Sequence, residues 1–434
     1  MEKYGYRILL QRRNERRIEE RIYSDNKIFD TQGADLYRKI LEEARMRMSR
    51  EECYISNERA VEIIEETVMD IGGPMGLSFR EKKSITEYLF NITRRELDIL
   101  QPVADDTGIR EIMVNGPKKI FVEKDGTMIK LPMEFESQEH LEELIRRIAA
   151  GVHREINDIN PIVDARLADG SRVNAVYGNV AIEGPILTIR KFPEGKMKME
   201  DLIRMNTITE EAADYLKGLV VTGHNIFVSG GTSSGKTTFL NVLSDYIPSN
   251  ERVIVIEDSA ELRITEIDNI VRLETRNANS QGKGAVGIRE LIKTAMRMRP
   301  DRMIIGEVRG GEALDMLQAL NSGHDGCMST GHAGSAEGMM YRLETMVLTA
   351  ESFPLDAVRR QIATALDIVV HLGRFSDMSR KVLEISEVEM RSDGSIGMNR
   401  LFEYREGSLE RTGNKLKNRS KIMMRYKKNE YGDY

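Results

Sequence analysis

Residues 230–237 read Gly-Gly-Thr-Ser-Ser-Gly-Lys-Thr, a G-x-x-x-x-G-K-T stretch. Few patterns narrow a fold as far. Glycines let the backbone turn tightly and approach an anion, so that successive N–H groups point at phosphate oxygens. A helix that follows adds the positive end of its dipole. The flanks fit. Ile226-Phe227-Val228 reads as a short buried strand, Phe239, Leu240 and Leu243 recur at helical spacing, and Pro248 closes the segment. An accidental Gly/Ser-rich turn would not need a strand before it and a helix after it. Gly230, Gly231, Thr232, Ser233, Ser234, Gly235, Lys236, Thr237 and Thr238 are therefore expected to bind nucleotide. In that reading Lys236 reaches the β- and γ-phosphates and the Thr237 hydroxyl ligates Mg²⁺.

The chain has 434 residues, enough for two or three domains of ~150 residues. A net charge of -6 argues against a whole-chain nucleic-acid binder. No apolar run approaches the ~18 residues of a membrane span, and the first residues lack the apolar core of a signal peptide. Cys53 and Cys327 lie far apart without metal-ligand spacing, which reads as free thiols in a reducing cytosol.

Along the chain, residues 7–22 mix Arg with Glu15, Glu19 and Glu20, the pattern of a solvated charged helix or a membrane-surface helix. Residues 58–70 and 80–100 carry helical spacing, broken by Gly72-Gly73-Pro74. Residues 1–100 thus read as a small helical module. From 101 to 192 the pattern changes to an α+β domain: strands around Ile109–Val114, Ile120–Glu123 and Met128–Leu131, with a turn at Asp125-Gly126. Ser137 is placed to cap a helix carrying Leu141, Leu144, Ile145 and Ile148. Two further stretches, each with an arginine, flank Asp169-Gly170, and another strand runs through Ile189. Residues 193–200 read as a linker. From 201 to 405 strands alternate with helices, which predicts a parallel sheet covered on both faces, with ligands at the carboxyl ends of its strands. Residues 411–428 hold eight Lys/Arg and no acid. The segment 406–434 is expected to be a solvated basic tail, the alternative being contact with a membrane surface or an acidic partner.

Hydrolysis needs a group that orients water, a held metal ion, and positive charge on the transferring phosphoryl group. Glu307 ends an apolar strand beside Gly306 and is assigned to polarise water and support Mg²⁺. Glu257 and Asp258 end another strand; one of them is expected in the Mg²⁺ shell, the alternative for both being a helix cap. His332 follows the strand Met328-Ser329-Thr330, as a γ-phosphate sensor or a structural histidine. Arg166, Arg172 and Arg190 lie outside the P-loop domain, and can serve as arginine fingers from a neighbouring domain or subunit or simply as solvated surface charge.

The chain resembles the type II/IV secretion-system ATPases, and among them the CpaF-like ATPases of tight-adherence (Flp) pilus assembly. Besides the P-loop, Ile256-Glu257-Asp258-Ser259-Ala260-Glu261-Leu262 resembles the family's Asp box. Residues 299–313, containing Ile305-Gly306-Glu307-Val308-Arg309-Gly310, resemble its Walker B segment, and Ser329-Thr330-Gly331-His332-Ala333 its His box. The resemblance implies a RecA-like ATPase core preceded by a PAS-like α+β domain. It implies ATP and Mg²⁺ as cofactors, a homo-hexameric ring at the cytoplasmic face of the inner membrane, peripheral attachment through partners, and a membrane platform protein as the object of its force. It also implies nucleotide contacts for His332, Arg166, Arg172 and Arg190. Two positions depart from the pattern: Ser233 stands where the family often has Gly, so its backbone is expected to avoid a Gly-only conformation, and Gly334 stands where Asn is usual.

A pilus-retraction motor or a type IV secretion ATPase is the neighbouring reading. A RecA-like DNA translocase conflicts with the net acidity and lacks a basic stripe with interleaved aromatics. A nucleotide-gated scaffold without turnover conflicts with the set Lys236, Thr237 and Glu307.

Overall fold

A computed structural model describes residues 31–51, 55–124, 126–152, 154–192, 195–276, 278 and 283–425. The charged stretch 7–22, Cys53, Asp125 of the expected hairpin turn, residues 193–194 of the expected linker and residues 426–434 lie outside the described residues. The chain divides into two compact units, Met1–Glu194 and Gly195–Tyr434.

In the first unit, α1 (Thr31–Ser49), α2 (Asn57–Gly72) and α3 (Phe79–Arg94) are followed by a 3-10 turn, Asp98–Leu100, and the short α4 (Gln101–Ala104). Ser78 and Glu81 form a capping box at the start of α3, which satisfies amide groups that the first helical turn leaves bare. Strands β1 (Ile109–Asn115), β2 (Ile120–Lys124) and β3 (Thr127–Leu131) precede α5 (Gln138–Gly151), and β4 (Ile162–Arg166), β5 (Arg172–Val176) and β6 (Ile186–Arg190) follow it. Ser137 caps α5 by accepting from the His140 amide. The sheet is antiparallel, in the order β3-β2-β1-β6-β5-β4. The helices do not form a core of their own. Ile40, Ile64, Ile85 and Leu89 share one apolar cluster with Ile109, Ile112, Leu144 and Leu187, so residues 31–192 bury their apolar faces together.

The second unit opens with α6 (Met199–Arg204) and α7 (Glu210–Val221), then alternates: β7 (Ile226–Gly230), α8 (Lys236–Ser244), β8 (Val253–Glu257), β9 (Ile270–Glu274), α9 (Ile288–Ala295), β10 (Arg302–Ile305), α10 (Glu312–Asn321), β11 (Met328–His332), α11 (Ala336–Ala350), α12 (Leu355–Ala365) and β12 (Ile368–Arg374). An antiparallel meander of β13 (Arg380–Met390), β14 (Ile396–Arg405) and β15 (Ser408–Arg411) extends the sheet, and α13 (Ser420–Arg425) follows. The nine strands run β15-β14-β13-β12-β7-β11-β10-β8-β9, parallel from β12 to β9. Strands β7 and β8 are buried at every position, as strands covered on both faces must be. One face packs α6, α7 and α8, the other α9 to α12. Among the described residues no helix is long and apolar enough to cross a membrane.

The basic segment departs from expectation. Leu416 and Ile422 are buried in the same cluster as α8. Glu387, itself buried, accepts from the backbone N–H groups of Lys417 (2.9 Å) and Asn418 (2.8 Å) and from Asn399 Nδ2 (2.8 Å). Lys421 Nζ reaches Asp325 (2.7 Å) and Asp367 (2.6 Å), and Lys417 pairs with Glu389. Lys417 and Lys421 therefore answer carboxylates of the same unit, and the buried Glu387 would be costly without its three N–H donors. Replacing Ile422 by Ala should lower the unit's unfolding free energy by about 2–5 kcal/mol, the usual range for such truncations at buried sites. Urea unfolding reads this directly; an unchanged midpoint would return the segment to solvent.

Candidate nucleotide site

The site is built where β7 ends. A Cβ on Gly230 would stand 2.5 Å from Ser234 Oγ and 2.6 Å from Leu372 O, so only glycine lets the loop leave the strand here. Gly235, at φ 94°, caps α8 in the left-handed region. Ser233 is also left-handed, at φ 58°. That conformation is not restricted to glycine: the serine adopts it at a cost of about 1–2 kcal/mol that glycine would not carry. Gly231, Thr232 and Ser233 are exposed, Thr237 is half-buried and Thr238 exposed. Ser234 is buried, and its hydroxyl has no hydrogen-bond partner.

Register brings the remaining groups to the same edge. In the parallel sheet His332 of β11 lies beside Gly230, and Ser329 of β11 beside Ile305 of β10. Beyond β10, the Val308 amide donates to Thr330 O (3.0 Å) and the Thr330 hydroxyl to Gly306 O (2.7 Å), which pins Glu307. Lys236 Nζ donates to Gly231 O (3.0 Å) and lies 3.1 Å from His332 Nδ1. An ammonium only donates, so Nδ1 accepts and the imidazole carries its proton on Nε2. That Nε2 is 2.9 Å from Glu307 Oε1, yet misaligned: this buried oxygen makes no hydrogen bond. Glu307 Oε2 accepts from Arg309 Nη2 (2.8 Å), and Arg309 Nη1 stands 4.0 Å from Asp258 Oδ2. Burial, then the Lys236 charge, pushes the His332 pKa below its ordinary value, with Glu307 opposing. Burial also lowers that of Lys236, again opposed by Glu307.

Other expected residues fall elsewhere. Glu257 is buried, which raises its pKa, and its Oε1 accepts from the amides of Glu261 (2.8 Å) and Leu262 (3.0 Å). It holds the turn after β8 rather than bonding to the P-loop, and a Cβ on Gly306 would come within 3.0 Å of its Cγ. Asp258 accepts from the Thr275 hydroxyl (2.8 Å). Arg166, Arg172 and Arg190 belong to the first unit, where they occupy one cross-strand row: Arg166 opposite Arg172, Arg172 opposite Arg190, and Arg190 opposite Glu111. Arg166 Nε donates to Gly170 O (3.3 Å).

Three residues escaped sequence reasoning. Arg309 stood in plain view two positions after Glu307. His371, buried on β12, meets the Ser229 hydroxyl at 2.8 Å through Nδ1, and burial pushes its pKa down. Its only sequence signal was a histidine inside an apolar run. Arg380, at the start of β13, donates from Nε to Ser233 O (3.0 Å), and no local pattern pointed to it.

A glycine-rich turn, a helix N-terminus, a buried lysine and a following threonine make a phosphate cradle. The orphaned Ser234 and Glu307 oxygens beside it fit a polar ligand. This is a P-loop protein of mixed α/β fold. The profile of the Type II/IV secretion system protein family matches residues 94–426, and the chain belongs to that family. It is 33% identical over 315 residues to a probable conjugal transfer protein, TrbB, of Sinorhizobium fredii, covering 71% of this chain and 93% of the relative. It is 33% identical to the type IV secretion system protein PtlH of Bordetella pertussis, covering 67% and 93%. Among solved structures, the VirB11 ATPase of the Brucella suis type IV secretion system, in complex with sulphate, aligns at 30% identity, covering 67% of this chain and 92% of that one, with a TM-score of 0.37. The Legionella pneumophila ATPase DotB aligns at 19% identity, covering 68% and 81%, with a TM-score of 0.48.

The charge arrangement is testable by the sign of two shifts. The His332 ring should titrate below 6.5 and be neutral at pH 7. Removing the cation in Lys236→Ala should move its midpoint up, and removing the anion in Glu307→Gln should move it down. NMR titration of the ring protons reads both; shifts of the opposite sign would contradict the arrangement.

Proposed function

We propose that the protein is an ATP-hydrolysing motor of the type II/IV secretion family that powers pilus assembly or protein secretion at the inner membrane. The observation that carries this reading is the meeting of Lys236, Glu307 and His332 at the end of β7, within a chain of that family. We further assign it to the CpaF-like tight-adherence branch, with a RecA-like core and a PAS-like first domain. In this reading it works as a cytoplasmic homo-hexamer on a membrane platform protein. A type IV secretion ATPase is the second reading, favoured by the names of the relatives.

The proposed chemistry divides among the chain's own groups. The 230–235 backbone and α8 hold the phosphates, and Lys236 exchanges its contacts with Gly231 O and His332 for phosphate oxygens. Glu307, held by Arg309 on one oxygen, keeps the other to orient water. His332, neutral and donating from Nε2, senses the terminal phosphate. Mg²⁺, when bound, neutralises charge on the β- and γ-phosphates. Glu257 keeps the 258–262 turn in place, leaving Asp258 as the outer carboxylate for the metal shell. Arg166, Arg172 and Arg190, which share one cross-strand row that ends opposite Glu111, are assigned to positive charge during phosphoryl transfer.

Phosphate release tests these roles. Lys236→Ala should abolish turnover and weaken nucleotide binding. Glu307→Gln should keep MgATP binding while turnover falls by at least ~10²-fold. Normal turnover in Glu307→Gln with loss in Glu257→Gln would reverse the two carboxylates. Replacing one of the three arginines by Ala should lower turnover roughly 10-fold, less than a sole arginine finger because the others share the charge. Specific activity should also rise with protein concentration; a constant value at all dilutions would remove the ring requirement.

A further inference from the structure

We propose that the β12–β13 hairpin is the nucleobase platform of the P-loop site, with the Phe375 ring as its stacking face and Arg380 as its tie to the loop. This inference rests on the nucleotide reading above and deepens it. A cradle for phosphates grips only one end of a nucleoside triphosphate. The base is flat and apolar on its faces, and it needs an exposed aromatic or apolar surface within reach of the same loop.

Strand register puts such a surface there. Leu372 of β12 lies beside Gly230, so β12 runs past the strand end from which the P-loop departs. The connection to β13 then overhangs the loop. It is held by its own bonds: Phe375 N–H to Ser379 O (2.9 Å), Met378 N–H to Phe375 O (3.0 Å) and Ser379 N–H to Asp377 Oδ1 (2.9 Å). Met378 is left-handed at φ 70°, a conformation retained where the surroundings impose it. Arg380 closes the distance to the loop: its Nε donates to Ser233 O, and its Cδ stands 3.2 Å from where a Cβ on Gly235 would be.

The aromatic group faces the required side. Phe375 lies 5.5 Å from Tyr404, ring centre to ring centre, and Tyr404 packs on the cluster that holds Phe239 and Leu240 of α8. The Phe375 ring is therefore on the face of the sheet that carries the P-loop helix. Tyr404 supports it from β14, and it still exposes 39% of its surface, with Met378 exposed beside it. Core packing does not require that exposure, whereas stacking on a base does. An aromatic face accepts any base, so this platform predicts affinity for nucleotides as a class and weak discrimination of ATP from GTP.

The test compares a ligand that has a base with one that has none. Binding of MgATP and of magnesium tripolyphosphate is measured by calorimetry on the full chain, for the wild type, Phe375→Ala, Phe375→Tyr and Lys236→Ala. Phe375→Ala should weaken ATP by roughly 5- to 100-fold, the effect of removing one aromatic stacking partner, and leave tripolyphosphate unchanged. Phe375→Tyr should restore ATP affinity. Equal ATP affinity in Phe375→Ala and wild type overturns the platform, as does an equal loss for both ligands, which would mean damage to the loop. Lys236→Ala separates the two readings. If it loses both ligands while Phe375→Ala behaves as wild type, the phosphate cradle stands and the platform alone falls. If the wild type binds neither ligand, the nucleotide reading falls and the platform with it.

Discussion

The pairing of β11 with β7 is the constraint on which the site depends. Five parallel pairs, from Met328 beside Ile226 to His332 beside Gly230, set the histidine against the glycine that begins the phosphate loop. The bonds from Val308 and Thr330 then carry the next segment into the same register and deliver Glu307. A slip of one residue would turn every side chain of β11 to the other face of the sheet. His332 would leave the lysine, and Thr330 would lose Gly306. The apolar clusters above and below the sheet enforce the register, because Met328 belongs to one face and Phe227 and Ala333 to the other.

Within that frame the charges alternate. Lys236 stands against a neutral imidazole, the imidazole near a carboxylate, the carboxylate on a guanidinium, and the guanidinium toward Asp258. A buried lysine is tolerable because Glu307 offsets part of its desolvation, and His332 stays neutral because Lys236 and burial act together against its protonation. Each group depends on the next, so the site responds as one network to a change in any member. The same economy governs the C-terminal segment. Buried Glu387 would be an uncompensated charge, and the chain returns to supply two backbone amides and the Asn399 amide.

Much of this was legible because it is local. Strand, glycine turn and helix are encoded by adjacent residues, as is the Ser137 cap, and spacing alone marked the α5 stripe of Leu141, Leu144, Ile145 and Ile148. Glu307 and His332 were legible as strand-end polar residues in an alternating α/β chain. Composition misled where partners are distant. The run of Lys and Arg after 411 looks solvated, yet Lys417 meets Glu389, Lys421 meets Asp325 and Asp367, and the backbone at 417 and 418 serves Glu387.

By itself, then, the sequence determined the phosphate loop, the sheet of alternating strands and helices, and the residues available to it, because short-range sterics and hydrophobic period fix these within a few turns of chain. Only the tertiary structure decided which residues meet. Register placed Arg166, Arg172 and Arg190 in one row. It brought His371 against Ser229 and Arg380 against the loop at Ser233, from more than a hundred residues away. It also forced Ser233 into a left-handed backbone that the residue type disfavours. Those contacts follow from register and packing across each whole sheet, a property that no single segment carries.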